Sequence, residues 1–461
     1  MSSDIPPRFV WRPWKSASKN SSLLPLPPGP RLLPFVGNAF DIDVSRPWLT
    51  YTDWKEKHGR PFGTSFNTAY LPYGETLRIH RKLFHQAFGA EASAEYHDLY
   101  CRKAYELVIN LISAPHKLEK HLEMYSGSLI ITAIYGYETP PGAEGDPLIR
   151  RTREATEIAK RVLAPERAAL LMAFPFLGHL PSWFPGATDR RLAPYCRRLV
   201  RQMLDEPFEI GKEKMTDDGR PPSIVARFLN AGDTSPAQEE FMKGVAVSGF
   251  VVDILTFAER YTPKTASTLH SFVLAMLLHP DVQSRANNVP SFEHKPFLPY
   301  IEAICREVLR WQPIVPLGLP HMTSQDDVYE GYLIPKGTDR ISVRNLKTPR
   351  AISRDESLYP DASRFDPQRH LTAEGKLKDD PLAGHFAFGY GRRICPGRHF
   401  AELSLWAAMA FHFVHYSEGN DIPVIPEYTS GLAVEPKPFA CAITSINSRR
   451  EEHMRAASRV D

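Results

Sequence analysis

Phe388-Gly389-Tyr390-Gly391-Arg392-Arg393-Ile394-Cys395-Pro396-Gly397-Arg398 is followed at once by Phe400 to Val414, a stretch apolar on nearly all sides. This pairing constrains the fold more than any other feature. A helix without a polar face has to be covered by protein on every side, so the chain must wrap a large core around the segment that follows Cys395. The glycines at 389 and 391 allow a tight loop that brings backbone close to a flat ligand. Cys395 stands just before the predicted helix, where unpaired backbone N–H groups stabilise a thiolate. A thiolate can serve as a metal ligand, and through a haem iron it pushes electron density that favours oxygen–oxygen cleavage. Arg393, two residues earlier, can reach an anionic propionate. A lone Cys-Pro-Gly would read as a structural cysteine in a turn; the full spacing of phenylalanine, glycines, arginine and cysteine favours a ligand loop.

Bulk properties narrow the class. The chain has 461 residues, 43% apolar and 24% charged, enough for a sizeable core. A formal charge of +3 with dispersed basic residues gives no reason to expect nucleic acid as a partner. Five scattered cysteines, Cys101, Cys196, Cys305, Cys395 and Cys441, do not form a disulfide framework or a zinc spacing. No run of about 18 apolar residues occurs, so no membrane-spanning helix is expected. Met1 to Ser22 is polar and basic, without the apolar stretch of a signal peptide.

Along the chain, Leu23 to Pro30 is a stiff proline-rich lead-in. Residues 1–30 are therefore expected to be a polar N-terminus with a hinge, and residues 31–461 a single domain. Helical patterns are predicted over Pro47–His58, Glu75–Glu91, 95–135, 146–175, Asp189–Lys214, Glu239–Phe257, Ala266–His279 and Tyr300–Trp311. In the last of these, Ile301, Ile304, Cys305, Val308 and Leu309 share one face. Val328–Pro335 and Thr338–Val343 are predicted as short strands, and Ser430–Ile446 as a strand pair. The 42 prolines, close to twice the ordinary share, suit irregular connections between helices. The fold class expected is mainly α with small β-sheets.

Phe388, Gly391, Arg393, Cys395 and Gly397 resemble, residue for residue, the haem-binding signature of the cytochrome P-450 superfamily. Glu307 and Arg310 resemble its Glu-x-x-Arg pair, and Arg369, in Phe365-Asp366-Pro367-Gln368-Arg369, its second arginine. The resemblance runs from Leu26 to Ile446 and is closest in character to fungal microsomal members that look like O-methylsterigmatocystin oxidoreductase. It implies the cytochrome P-450 fold and haem b on the Cys395 thiolate. Phe388, Gly389, Gly391, Arg393, Gly397 and Arg81 would bind the cofactor, and Glu307, Arg310 and Arg369 would form a buried ion triad. The implied activity is a haem-thiolate monooxygenase of secondary metabolism acting on a lipophilic small molecule. Its partners would be dioxygen and an NADPH–cytochrome reductase. It would be a monomer on the cytosolic face of the endoplasmic reticulum membrane. Leu317, Gly318, Leu319, Leu432 and Ala433 are candidates for the substrate side.

Four positions depart from that pattern. No spanning helix precedes the hinge. Arg60 to Leu71 stands where the family carries a longer strand-rich segment. Leu77 replaces the tryptophan that would assist Arg81. Pro263 and Lys264 occupy the places of the acid and threonine on the oxygen-activating helix, with Thr265, Ser267 and Thr268 as possible substitutes. A transcript with retained or skipped introns would account for several of these together. The alternative function is a haem-binding protein of the same fold without turnover.

Overall fold

In the computed structural model, residues 66–140, 146–152, 154, 183, 188–214, 223–230, 235–254, 264–286, 292–319, 321, 323–329, 331–336, 348–379, 385–410, 414–417, 424–430 and 433–445 are described. The predicted helix Pro47–His58, the hinge, Pro263, Leu432 and the predicted strand Thr338–Val343 lie outside them. Of Arg60–Leu71, residues 66–71 are described; Thr68–Tyr70 is a single 3₁₀ turn whose first free N–H, on Ala69, is taken by the Asn67 side chain.

The chain then enters α1 (Glu75–Phe88), which buries Leu77, His80, Phe84, Ala87 and Phe88 at helical spacing. It ends at Gly89, earlier than the predicted Glu91, because the backbone there turns extended, with ψ 170°, and leaves the helical ladder. A Cβ at position 89 would lie 2.5 Å from the His85 carbonyl oxygen. The short α2 (Ala90–Ala94) follows. The single helical stretch predicted over 95–135 is two helices, α3 (His97–Ser113) and α4 (Leu118–Tyr135). Ala114 leaves helical geometry and Pro115, with no N–H to give, opens a 3₁₀ turn between them. Residues 147–152 begin the helix expected over 146–175, and Asp146 accepts from its first N–H groups.

Next come α5 (Thr188–Glu213), which runs through Pro194 and Pro207, α6 (Ile224–Asn230), α7 (Pro236–Ile254), α8 (Lys264–Leu278), α9 (Pro280–Arg285) and α10 (Pro299–Trp311). The run predicted as one strand at Val328–Pro335 is a hairpin of β1 (Asp327–Tyr329) and β2 (Tyr332–Ile334), with Val328 opposite Leu333. Gly331 makes the reversal possible at φ 79°. After α11 (Pro349–Ser353) and a proline-punctuated meander comes α12 (Arg398–Ala410).

α12 ends four residues before the predicted Val414, which belongs to β3 (Val414–Ser417). The partner of β3 is β4 (Ala442–Ser445), antiparallel with Val414 opposite Ser445. Among the described residues, the tail supplies the strand β4 and an antiparallel bridge between Tyr428 and Pro436 in place of the expected strand pair.

α12 is the centre of the main core. It packs against α3, α8 and α10, and α4 packs in turn against α3, α7 and α8. Trp406, Ala407 and Ala410 are fully buried, as the all-round apolar pattern of this segment requires. Tyr125 of α4 donates to the Ser404 carbonyl at 2.6 Å, tying the two central helices with a buried hydrogen bond. Phe400, at the start of α12, meets Phe88, Tyr96 and Tyr100 with ring centroids 4.8, 5.5 and 5.1 Å away. This aromatic cluster fixes the end of α12 that carries the cysteine loop.

Candidate active site at the Cys395 loop

The loop folds back on itself. The Cys395 N–H donates to the Phe388 carbonyl at 2.8 Å, closing a circuit that contains both glycines. Gly389 at φ 78° and Gly391 at φ 57° take left-handed backbone that side-chained residues rarely adopt. Residues Gly391–Arg393 form a 3₁₀ turn, and the Ala401 N–H reaches back to the Gly397 carbonyl to start α12. Cys395 is half-buried three positions before Arg398, the first residue of that helix. A Cβ built at Gly389, Gly391 or Gly397 would meet nothing within 4 Å, so a broad face of the loop is clear of other protein atoms. None of the five cysteines is in a disulfide.

Two cations lie close together at this loop. Arg81 leaves α1 and donates through Nη1 to the Ile394 carbonyl at 2.9 Å. Arg393 donates through Nη2 to the Leu71 carbonyl at 2.7 Å. Burial lowers the Arg393 pKa, and the nearby Arg81 charge lowers it further. Among the described residues no carboxylate pairs with either guanidinium. Two like charges next to a cysteine, on a loop with a glycine-cleared face, are suited to a flat ligand that carries two negative groups; haem with its propionates is such a ligand. Leu77 sits one turn before Arg81, buried, and its aliphatic side chain has no donor to add.

A second construction holds the loop's approach. Glu307 and Arg310, fully buried on α10, make a bidentate pair: Nε to Oε2 at 2.7 Å and Nη2 to Oε1 at 2.8 Å. Arg369 adds Nε to Oε1 at 3.1 Å, as the triad expected from the sequence requires. Sequence reasoning missed two further contacts, the Asp366 N–H on Oε1 at 2.8 Å and His370 Nε2 beside Oε2 at 2.9 Å. The position of His370 directly after Arg369 was the available signal. Burial alone would raise the Glu307 pKa, but the hydrogen bonds from Arg310 and His370 outweigh it and lower the value. Arg310 spends its remaining donors on the carbonyls of Ser353, Ala362 and Arg364, and Trp311 donates to Ser363. The meander from 353 to 370 is thereby fastened to α10.

The other candidates divide. Val434 donates to the Ile314 carbonyl at 2.8 Å, and Ala433 packs on Ile314, which brings the tail to the segment after α10. In that segment Leu317 and Gly318 are half-buried, and Leu319 is largely exposed. Lys264 is the first residue of α8. Of the possible hydroxyl substitutes, Thr268 donates to the Lys264 carbonyl at 3.0 Å, Ser267 donates to Glu435 at 2.9 Å, and Thr265 is half-buried. Glu435 was not anticipated from the sequence.

The family model described as Cytochrome P450 matches residues 67–441. Cytochrome P450 monooxygenase 98 of Postia placenta is 33% identical, covering 94% of this chain and 93% of its own length. Cytochrome P450 monooxygenase claR of Ampulloclitocybe clavipes is 30% identical, covering 93% and 88%. A zebra fish cytochrome P450 structure with abiraterone superposes with a TM-score of 0.59 at 18% identity, over 87% of this chain and 92% of that one, a likeness of fold. The chain belongs to the cytochrome P450 family, whose members bind haem through a cysteine thiolate.

Proposed function

We propose that Cys395 would hold a haem b through its thiolate and that Phe388, Gly389, Gly391, Arg393, Gly397 and Arg81 would form its cradle. The observation that carries this reading is the closed Phe388–Cys395 loop, held by Arg81 on the Ile394 carbonyl and by its own Arg393 on the Leu71 carbonyl. The protein is a haem-thiolate monooxygenase. Haem on a thiolate supplies dioxygen activation, with one oxygen atom entering the substrate and the other leaving as water. The chain's own contributions would be to hold the thiolate by backbone closure and to neutralise the cofactor's anionic groups with two guanidiniums.

The apolar substrate-side candidates Leu317, Leu319 and Ala433 suit a lipophilic substrate of secondary metabolism. Arg78 and Arg392 both lie over the exposed Tyr73 ring, 5.5 and 5.3 Å from its centroid, beside the two cradle arginines. This basic surface suits an acidic NADPH–cytochrome reductase delivering electrons singly. Residues 31–461 act as one monomeric domain on the cytosolic face of the endoplasmic reticulum membrane. No described helix is long and apolar enough to cross a membrane.

Reduction under carbon monoxide tests the assignment. A red-shifted, thiolate-type Soret band is expected, and Cys395→Ser should abolish it; a chain that retains no haem overturns it. The Thr268 hydroxyl, turned back to the Lys264 carbonyl at 3.0 Å, favours a second reading, haem binding without turnover. Product formation from a lipophilic panel with NADPH and reductase decides between the two.

A further inference from the structure

Positive charge gathers where α10, α11 and the tail meet. Arg310 lies on α10, Arg350 on α11 and Arg354 just after it. Glu307 is already taken by Arg310, Arg369, His370 and the Asp366 N–H. Arg350 donates to the Gln312 side chain at 3.1 Å, and Arg354 to the carbonyls of Ala362 at 2.8 Å and Trp311 at 3.0 Å. Among the described residues no carboxylate pairs with Arg350 or Arg354.

Two donors are left over. Arg354 Nε and the Tyr428 hydroxyl are both closed off from solvent, and neither has a hydrogen-bond partner. They share one neighbourhood. Burial carries the Tyr428 pKa up to about 12, against the pull of the Arg354 and then the Arg350 charge. Burial, Arg350 and Arg310 lower that of Arg354, and Tyr428 acts the other way. Buried donors without an acceptor are costly. Water would accept from both, yet it brings two hydrogens of its own and leaves the excess charge uncompensated. An anion removes both defects. The enclosure selects its kind: a multiply charged oxyanion loses too much hydration in a sealed site, whereas a monatomic anion accepts from N–H and O–H donors in any direction.

We propose that Arg354 Nε and the Tyr428 hydroxyl, with the exposed Arg350 on the solvent side, form a halide site that takes chloride and fastens the tail to α11 and the end of α10. The site is independent of the reading of Cys395.

The test starts from the haem-loaded full chain in sodium gluconate, with sodium chloride or bromide replacing it at constant ionic strength. Tm should rise with either halide. Tyr428→Phe keeps the ring and deletes only the hydroxyl. It should raise the chloride concentration needed for half the rise about tenfold, the scale of one charge-assisted hydrogen bond. Arg354→Gln should lose the rise. The sign of the Tyr428→Phe effect is a second check: without halide, deleting a partnerless donor leaves Tm unchanged or higher, and with chloride present it lowers Tm. Crystals grown in bromide should show an anomalous peak within hydrogen-bond distance of both atoms. Equal responses to chloride and gluconate, or a chloride response kept in full by Tyr428→Phe, overturn the site. An anomalous peak without a response in solution means binding at crystal concentration only and overturns it too. Should Arg354→Gln fail to fold, Tyr428→Phe decides alone.

Discussion

His80 shows how one side chain ties stability to pH. It is buried at 3% exposure on α1, with Nδ1 2.8 Å from Thr68 Oγ1 and its ring edge-on to Phe241. Burial pulls its pKa from 6.5 to about 4. Between those values the unfolded chain binds a proton that the folded chain refuses. The stabilisation is therefore complete above pH 6.5 and is lost progressively as pH falls towards 4. Urea midpoints measured from pH 7 down to pH 4.5 should fall, and His80→Gln should flatten part of that decline. Glu307 acts in a lower window: its depressed pKa adds stability that is present above the ordinary carboxylate value of 4.5 and disappears below it. At the cysteine loop the expected outcome concerns retention. Arg81→Ala or Arg393→Ala each removes a charge-assisted contact, of about 1.5–3 kcal/mol, so haem should pass to an acceptor apoprotein roughly tenfold faster or more. Cys395→Ser is a different kind of change, since it alters the carbon-monoxide spectrum itself.

At the level of elements, α10 is where a sequence pattern and a packing task coincide. Arg310→Ala would leave the Glu307 carboxylate buried with one strong donor fewer, and it is expected to cost about 3–5 kcal/mol in chemical unfolding. Arg310→Lys should not rescue it, because an ammonium cannot reproduce a planar set of five donors. This anchor was legible in the sequence: Ile301, Ile304, Cys305 and Val308 are buried as the spacing implies, and Arg369 joins the pair. Other elements were legible only in part. The residues around Ala114 and Pro115 keep an apolar rhythm on both sides of the break, so periodicity ran through a turn made by backbone geometry. Gly89 ends α1 by taking extended backbone, where a Cβ would lie 2.5 Å from the His85 carbonyl oxygen. Val414 is apolar like the helix before it, and its strand assignment depends on Ala442–Ser445, far along the chain. Glu435 could not be placed from sequence, because its partner Ser267 lies 168 positions earlier.

For the molecule as a whole, α12 lies at the meeting point of α3, α8 and α10, and its first turn follows the proposed ligand loop. Cofactor binding and global stability are therefore coupled. With haem at 1,000 times its dissociation constant the folded state gains about 4 kcal/mol, so stripping the haem should lower Tm by several degrees in calorimetry, and adding it back should restore the value. The Arg310 contacts have a kinetic consequence as well. They join α10 to carbonyls 43, 52 and 54 positions away, and loops of that length must be closed, at an entropic cost, before these bonds can form. Such contacts belong late in folding, on the native side of the rate-limiting barrier. Arg310→Met should accordingly speed unfolding far more than it slows refolding. In working terms, this arginine behaves as a latch that sets how long a folded molecule lasts.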